Sequence, residues 1–440
     1  MAKNKLKESF FLKIKNKSLT CAVIGLGYVG LPLAAQIAYK GYKTIGFDVS
    51  EEKVSSINSA KNYIKDIDDE VFKTLIHDKT LSATTNFLRL KEADFIAICV
   101  PTPLDEHQMP DLSFIENAGE KIGKIIKKGT AVCLESTTYP GTTEEVLLPL
   151  IEKESGLKCR EDFYLGFSPE RIDPGNKEFK TGNTPKVIGG VGKDSGIVLK
   201  AVYESILDTE IYLVSSPKVA EMEKILENTY RNINIGLINE MAIVCEKLDI
   251  SIWETIDAAK TKPYGFTAFY PGPGLGGHCI PLDPAYLSWK AKEFDYHIKI
   301  VESSAIINDE MPSYVAERII KILNKDKKAL KGTKVLILGV AYKNDIDDYR
   351  ESPALEVIDK LEAFGGKVSY YDPYIKKYEH KGKTKEGFAS LTAKILRSFD
   401  IAVITTAHSV FDYDLIVKNS KRIFDTRNAV KSKNRKIEKI

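Results

Sequence analysis

An apolar run, Cys21-Ala22-Val23-Ile24, leads directly into the glycine pattern Gly25-Leu26-Gly27-Tyr28-Val29-Gly30. Glycine at the first of these positions permits a tight turn, at the second a close approach of the backbone to a pyrophosphate, and at the third close packing of helix on strand. Pro32 then falls in the first helical turn, where its missing N–H is no loss. The order of strand, glycine loop and helix predicts a dinucleotide site, although the glycine pattern alone would also fit an ordinary strand-to-helix turn.

The next predicted strand ends in an acidic residue. Asp48 follows Gly25 by 23 residues (48 − 25), close to the roughly 20 expected for a carboxylate that binds the adenosine ribose hydroxyls. Because a carboxylate there would repel a 2′-phosphate, the sequence favours NAD over NADP. The cofactor contacts that we expect from this region are Gly25, Gly27, Tyr28, Val29, Gly30 and Asp48.

The composition limits the classes of partner. The 440 residues include 64 Lys and Arg against 61 Asp and Glu, a net charge of +3 that offers no basic field to nucleic acid. The lysine-rich start lacks the pattern of a secretory signal, and no apolar run is long enough to cross a bilayer. Six scattered cysteines suit reduced thiols, and no pair has metal-ligand spacing. We expect a cytoplasmic protein with no nucleic-acid partner, membrane partner or metal.

Short β-branched runs alternate with amphipathic ones near both ends of the chain, and a long helical pattern opens after Ser216. The pattern predicts an α/β protein with two doubly wound, Rossmann-like sheet domains, residues 1–215 and 313–440, joined by a helical middle domain, residues 216–312, with a long helix. The second sheet domain opens with a lone glycine, Gly339, and we expect no dinucleotide there. Its Lys343 and Arg350 could meet phosphate and sugar groups, or equally be solvated surface charges.

Residues 270–284, Tyr270 to Pro284, are dense in glycine and proline. This composition predicts neither helix nor strand, and it lets a ligand approach closely while the loop presents Cys279 and Asp283. A cysteine thiolate beside cations or a helix N-terminus is nucleophilic, but from these residues alone a structural cysteine has comparable weight. His278 would point to the opposite side of an extended chain, so we do not assign it as a base.

Polar residues on the long predicted helix form a second candidate. Lys224 and Asn228 lie four residues apart and share a face with Glu221 and Arg231. A solvated face would explain the set, and so would a cleft in which Lys224 and Asn228 donate to an oxyanion. Polar clusters at residues 135–141 and 168–176 follow predicted strands, and helix capping could explain either one.

The ordered motifs GLGYVG, CVPTP, ESTTYPGTT, SPERIDPGN, YPGPGLGGHCIPLDP and AYKNDIDDYRESP resemble the UDP-glucose/GDP-mannose dehydrogenase family over residues 19–428. Within it the motifs look closest to the branch that acts on UDP-N-acetyl-D-glucosamine. The resemblance implies an NAD-dependent, four-electron oxidation of the sugar's carbon-6 hydroxyl to a uronic acid, through a cysteine thiohemiacetal and thioester. It also implies a role in cell-surface polysaccharide synthesis, such as capsule or lipopolysaccharide, and a homo-oligomer, dimer or larger, formed through the middle domain.

The resemblance also implies roles for individual residues. It implies that Cys279 is the nucleophile, Lys224 and Asn228 oxyanion donors, Thr137 and Asp283 groups that position or deprotonate water, and Glu170 an acid/base. The further cofactor contacts that it implies are Pro101, Thr102, Glu135 and Thr137. The substrate contacts that it implies are Glu170, Arg171, Lys224, Asn228, Tyr270, Gly272, Gly274, Gly276, Lys343 and Arg350.

Two departures bear on the substrate. Leu282 and Pro174 stand where glucose-oxidising relatives carry a lysine and a second glutamate, which favours the branch for N-acetylated hexosamine nucleotides. The alternatives are the same chemistry on UDP-glucose or another UDP-N-acetylhexosamine, and a single hydride transfer on a small hydroxy acid. An alternative of another class is a non-catalytic redox sensor that binds NAD.

Overall fold

The computed structural model describes residues 2–105, 107, 109–172, 176, 178–277, 279–432 and 434–440, without the side chains of residues 2–4 and of Cys279. The chain forms two compact units: Met1–Glu227 with Ala285–Asp295, and Asn228–Pro284 with Tyr296–Ile440. We call them the first and the second unit. The division into three domains, at residues 215 and 312, stays a proposal.

The first unit contains a sheet with the strand order β3-β2-β1-β4-β5-β6-β7-β8. Its strands are β1 (Thr20–Ile24), β2 (Lys43–Phe47), β3 (Leu81–Thr84), β4 (Phe95–Ile98), β5 (Ala131–Leu134), β6 (Tyr164–Phe167), β7 (Lys186–Gly190) and β8 (Ile211–Val214). Neighbours pair in parallel except β6 and β7, which are antiparallel. The described residues between β6 and β7 form no crossover helix, so the chain returns in the opposite direction. The expected parallel sheet therefore ends at β6.

Helices cover both faces of this sheet. They are α1 (Ala2–Lys15), α2 (Gly30–Tyr39), α3 (Glu51–Asn58), α4 (Asp69–His77), a 3-10 helix (Phe87–Glu92), α5 (Ser113–Gly123), a π-helical turn (Thr143–Leu147), α6 (Leu148–Ser155) and α7 (Lys193–Ile206). Cys21 and Val23 of β1 belong to one apolar cluster and Ala22 and Ile24 to another, because side chains alternate along a strand. The helix α1 was not predicted.

The second unit contains a parallel sheet with the order β10-β9-β13-β14-β15 and a separate antiparallel hairpin, β11–β12. The strands are β9 (Lys334–Leu338), β10 (Lys367–Tyr371), β11 (Lys377–His380), β12 (Lys383–Glu386), β13 (Ile401–Ile404), β14 (Ile423–Asp425) and β15 (Ile437–Lys439). The remaining helices of the chain are α8 (Pro217–Lys247), α9 (Ile252–Ala259), α10 (Cys279–Lys292), α11 (Lys299–Lys325), α12 (Pro353–Ala363), α13 (Ala393–Ser398) and α14 (Tyr413–Asn419). The long helix predicted from Ser216 onward is confirmed as α8.

Both α8 and α10 contribute residues to the two units, since the boundaries of the units fall inside these helices. In the part of the chain that the structure describes, no helix is long and apolar enough to span a membrane. Of the five cysteines other than Cys279, Cys21, Cys99, Cys133 and Cys159 are buried, and Cys245 is half-buried.

Candidate functional site

The glycine turn after β1 has a geometry suited to a pyrophosphate. Gly25 has a φ of +90°, and a Cβ there would collide with the carbonyl oxygen of Cys99. A Cβ on Gly30 would collide with the Gly25 carbonyl oxygen, whereas a Cβ on Gly27 would meet nothing within 4 Å. The residue before α2, Val29, makes no capping hydrogen bond with its side chain. Open space therefore lies beside Gly27, as the close approach of a pyrophosphate to this turn requires.

Asp48 lies at the end of β2 and holds this turn. Its Oδ2 accepts from Leu26 N at 2.9 Å and its Oδ1 from Ser50 N at 2.9 Å. The ammonium of Lys53, which the sequence analysis missed, is 3.3 Å from Oδ2. The sequence feature that could have indicated Lys53 is its position in the first turn of the helix after the acid, five residues from Asp48. Asp48 and Lys53 thus place a carboxylate and an ammonium together at the end of β2, where the acid of a dinucleotide fold is expected.

A cavity of about 460 Å³ is lined in part by Val49, the residue after Asp48. Val49, Phe87, Leu88 and Ile125 give it apolar walls, and Lys121 Nζ lies 4.0 Å from the centre of the Phe87 ring. A flat aromatic base fits a pocket of this chemistry.

Three further expected cofactor contacts meet where β4 and β5 end. Thr102 Oγ1 donates to the Thr137 carbonyl oxygen at 2.7 Å, and the Thr102 carbonyl oxygen accepts from the Tyr286 hydroxyl. Pro101 is exposed next to them. The structure thus brings Pro101, Thr102 and Thr137 together at the carboxyl edge of the first sheet, the edge at which doubly wound sheets bind ligands.

The expected cofactor contact Glu135 lies in a buried polar cluster. It is 1% exposed, and its carboxylate accepts from the Lys186 ammonium at 2.8 Å and from the Tyr203 hydroxyl. Burial disfavours the charged Lys186, but Glu135 and Glu170 outweigh burial and raise the pKa of the ammonium above its usual range. A buried cation on β7, distant in the sequence, thus pairs with this carboxylate, and the contact of Glu135 with the cofactor stays a prediction.

Glu170 and Arg171 lie after β6. Glu170 Oε1 accepts from the backbone N–H groups of Arg171 and Ile172. The Arg171 guanidinium pairs with Glu227 and lies 3.4 Å from Glu223. Burial raises the pKa of Glu223 to about 7, with the nearby Glu227 adding to the shift. The charge of Arg171 is therefore engaged by two carboxylates of α8. The rest of this motif, Asp173 to Gly175, lies outside the described residues.

Three of the four polar residues predicted to share a face of α8 are buried, so a solvated face does not explain them. Glu221 is 0%, Lys224 6% and Asn228 1% exposed. Glu221 accepts from Gly141 N at 2.5 Å, Thr143 N at 2.9 Å and Thr143 Oγ1 at 2.7 Å. The carboxylate thereby fixes the segment that carries Thr137 to the same helix as Lys224.

We expect Glu221→Gln to lower the free energy of unfolding by about 1–3 kcal/mol, because an amide N–H₂ would face N–H donors where the carboxylate now accepts. Desolvation by burial raises the pKa of Glu221, and the hydrogen bonds from Gly141 and Thr143 partly oppose this shift. Urea unfolding at pH 7 measures the change. The exposed variant Glu204→Gln is the control, and equal stability of the two variants would contradict this role.

In the second unit, Asn228 of α8 meets Asp283 of α10. The Asn228 side-chain amide donates to the carboxylate of Asp283, which is 2% exposed, and the Asn228 oxygen accepts from the Arg231 guanidinium. The structure thus brings this amide and this acid together, and their roles toward a carbonyl and a water stay predictions.

The prediction that residues 279–284 form no helix is wrong, since α10 begins at Cys279. Proline is tolerated in a first helical turn, and Pro281 lies there. Pro284 cannot donate to the Ile280 carbonyl oxygen, which instead accepts from the side-chain amide of Asn232 at 3.2 Å. A partner in α8 thus satisfies the carbonyl that the second proline leaves unpaired, and local composition does not reveal it.

Glycines of the preceding loop pack against the chain itself. Gly272 N donates to Asn239 Oδ1 at 3.0 Å, and a Cβ there would collide with the Arg427 guanidinium. Gly274 is buried against Pro353, and a Cβ on Gly276 would lie 2.8 Å from Tyr342 Cβ. These glycines therefore allow close packing within the second unit, and their contact with the substrate stays a prediction. Tyr270 stacks on Trp253 with ring centres 6.1 Å apart.

The turn after β9 resembles the turn after β1. Gly339 has a φ of +88°, and Asp372 at the end of β10 accepts from Val340 N at 2.7 Å and Ala341 N at 3.1 Å. The shared signal, a predicted strand that ends in aspartate, was missed. Lys343 follows this turn and is half-buried. Arg350 is paired with Asp348, Nη2 to Oδ2 at 2.7 Å.

The predicted nucleophile is described only in its backbone. Cys279 is the first residue of α10, and its side chain, like the whole of His278, lies outside the described residues. Asp283 follows one helical turn later.

A possible cation site exists elsewhere in the second unit. Among the described residues, Glu356, Asp359 and His380 place ligand atoms within 4.8 Å of one another. The Lys381 ammonium lies 2.9 Å from both carboxylates and already supplies a positive charge.

Comparison with known proteins gives a consistent result along the chain. Three family models match: UDP-glucose/GDP-mannose dehydrogenase family, NAD binding domain (residues 19–207), central domain (218–310) and UDP binding domain (336–432). The chain is 38% identical over 416 residues to Protein CapL of Staphylococcus aureus, covering 93% of this chain and 96% of that protein. It is 36% identical over 395 residues to UDP-N-acetyl-D-glucosamine 6-dehydrogenase of Pseudomonas aeruginosa, with coverage of 90% and 92%.

Among solved structures, the UDP-D-ManNAc dehydrogenase of Pyrococcus horikoshii is similar with a TM-score of 0.87. The two sequences are 33% identical, and the match covers 96% of this chain and 98% of the other.

Proposed function

The chain belongs to the UDP-glucose/GDP-mannose dehydrogenase family, and we propose that it oxidises the carbon-6 hydroxyl of UDP-N-acetyl-D-glucosamine to the uronic acid. The single observation that carries the proposal is the hydrogen bond between Asn228 of α8 and Asp283 of α10. It holds an amide donor beside an acid that lies one helical turn after Cys279. Relatives named for glucosamine and for mannosamine nucleotides both match, and Leu282 supports the choice of an N-acetylated hexosamine.

NAD, held by the Gly25 turn, Asp48 and Lys53, would supply the hydride acceptor for both oxidations. After the first oxidation, the Cys279 thiolate adds to the carbon-6 aldehyde, and the new oxyanion takes up a proton to give a thiohemiacetal. Loss of a hydride and that proton leaves a thioester. Water then adds and loses its protons to Asp283 and solvent, the C–S bond breaks, and the carboxylate product forms as the thiolate is regenerated.

The residues of α8 and α10 have distinct tasks in this route. Lys224 and Asn228 stabilise the oxyanion in each addition, and Asp283 takes the proton of the attacking water. Thr137 positions that water, and Glu170 assists as an acid/base. The N-terminus of α10 favours the thiolate form of a cysteine placed there. A reducing compartment, the cytoplasm, keeps that thiol free.

The substrate is tested with a panel read by NADH absorbance. The panel comprises UDP-glucose, UDP-N-acetylglucosamine, its galacto and manno epimers, and GDP-mannose. We expect kcat/KM for UDP-N-acetylglucosamine to exceed that for the other sugars by at least about tenfold, the effect of 1.4 kcal/mol. Similar values across the panel would contradict the substrate, and NAD binding without turnover of any of them would favour the redox sensor.

The cofactor site gives a second expected result. We expect Asp48→Ala to weaken NAD binding by about 10–100-fold, because the variant loses the ribose acceptor and the group that holds the glycine turn. Fluorescence titration with NADH measures the change. Binding of UDP, assigned to the second unit, is the control and remains unchanged. An unaltered affinity for NADH would rule out Asp48 as a cofactor contact.

We also propose a homodimer formed through α8. The helix carries an exposed apolar stripe at helical spacing, an unusual surface for a monomer. The stripe consists of Val219, Met222, Leu226, Tyr230, Leu237, Met241 and Val244.

Leu237→Glu tests the stripe, since Leu237 is 50% exposed near its middle. A charge buried in a dimer interface lacks a partner, so we expect this variant to sediment as a monomer at concentrations where the wild type is dimeric or larger. Analytical ultracentrifugation distinguishes the two. The charge reversal Lys331→Glu, on an exposed loop, is the control. A dimeric Leu237→Glu protein would contradict the proposed interface.

A further inference from the structure

His408, in the segment after β13, is 0% exposed and makes a hydrogen bond through each ring nitrogen. Its Nδ1 accepts from Asp345 N at 2.9 Å, and its Nε2 lies 3.0 Å from Asp372 Oδ2. Because Nδ1 accepts a backbone N–H, it carries no proton, and the neutral ring donates from Nε2 to the carboxylate. This assignment follows from the hydrogen-bond partners.

Further hydrogen bonds join the segment Gly339–Asp345, which we call the Lys343 loop, to residues 405–409. They are Thr405 Oγ1 to Gly339 O (2.5 Å), Thr406 Oγ1 to Ala341 O (2.6 Å), Ala407 N to Asn344 Oδ1 (3.1 Å) and Ser409 N to Asp345 Oδ1 (2.8 Å). Asp372 holds the start of the same loop through Val340 and Ala341. His408 thus bonds both to Asp372, whose carboxylate holds the start of the loop, and to the backbone amide of Asp345 at its end. Lys343 lies between these two points.

The surroundings of His408 keep this arrangement fixed. The rings of Tyr374 and Phe411 lie with their centres 5.1 and 5.3 Å from that of His408. The carboxylates that face the imidazole are Asp372 and Asp345, the second at 3.8 Å from Nδ1. A loop whose backbone is held at both ends in this way presents Lys343 in one conformation, which lowers the ordering cost of binding.

We propose that His408 is a positioning residue of the nucleotide site: through the Asp345 amide it holds the Lys343 loop in the conformation that binds the diphosphate of UDP. The inference rests on the proposed function, which assigns UDP to this unit. It predicts that loss of the Asp345 bond raises KM for the UDP-sugar while kcat stays near that of the wild type, because the reacting carbon meets other residues.

Two substitutions separate positioning from mere support of the fold. His408→Gln retains a donor toward Asp372 and removes the acceptor for Asp345 N, whereas His408→Asn retains an acceptor near Nδ1 and removes the donor toward Asp372. We expect the dissociation constant for UDP, measured by calorimetry, to rise at least about tenfold in His408→Gln. We expect it to remain within about threefold of wild type in His408→Asn, and NADH binding to remain unchanged in both.

A second pair leaves His408 in place, so folding of the core is not at risk. Asn344 is exposed, and Asn344→Ala removes the bond from Ala407 N while Asn344→Asp retains an acceptor. We expect Asn344→Ala to weaken UDP binding at least about threefold relative to Asn344→Asp. Wild-type affinity in both His408→Gln and Asn344→Ala, or equal weakening in Gln and Asn variants of His408, would overturn the inference. A wild-type protein that binds no UDP would overturn the proposed function and this inference with it.

Discussion

We expect Cys279→Ala to lower the rate of uronic acid formation at least about a thousandfold, since without a thiolate the aldehyde gains no nucleophile and has no second hydride to give. The first oxidation needs no thiol, so a small amount of aldehyde and NADH, at most one per enzyme-bound sugar, remains. Mass spectrometry of the product together with NADH absorbance measures both.

The control for this substitution is Cys245→Ala, because Cys245 is a free, half-buried cysteine of α8 to which the route assigns no task. We expect it to retain wild-type turnover. Uronic acid formation at the wild-type rate in Cys279→Ala would remove the covalent step from the mechanism and leave Asp283 and Lys224 as groups around a simple hydride transfer.

The second large effect concerns stability. We expect Lys186→Met to lower the free energy of unfolding by about 3–5 kcal/mol, the usual result of leaving a buried charge without its partner. Both side chains of the pair are inaccessible, 6% for Lys186 and 0% for Glu135, and the ammonium also donates to the Pro169 carbonyl oxygen at 3.2 Å. Glu135 would keep the Tyr203 hydroxyl as a donor but lose its cation. Urea unfolding of the whole protein measures the loss.

A double variant gives this prediction its control. In the double variant Glu135→Leu with Lys186→Met, position 135 no longer carries a buried carboxylate that needs a partner. We therefore expect this variant to recover at least about half of the stability lost in Lys186→Met. Losses that simply add would show that the two side chains do not depend on each other, contrary to the contact between them.

The predictable parts of this protein are those that neighbouring residues specify. The glycine turn at Gly25 and Asp48 follows from the strand, the spacing and the lack of a Cβ, and the structure has both at the end of their strands. The long helix α8 follows from apolar residues at helical spacing. Such features need no knowledge of distant partners, which is why the sequence predicts them.

The parts that were missed depend on residues distant in sequence. In α10, which begins at Cys279, the side-chain amide of Asn232 donates to the Ile280 carbonyl oxygen in place of the N–H that Pro284 lacks. The buried partner of Glu135 is Lys186, 51 residues later. The direction of β7 depends on a return without a crossover helix. His408 and Asp372 are 36 residues apart, so no local pattern indicates that they meet.

The most direct test of the central claim is the number of NADH molecules formed per UDP-N-acetylglucosamine consumed to completion. A thiol that captures the aldehyde commits each sugar to both oxidations, so the account predicts two NADH, with uronic acid as the product and no free aldehyde. One NADH per sugar, with an aldehyde or ketone released, would contradict it.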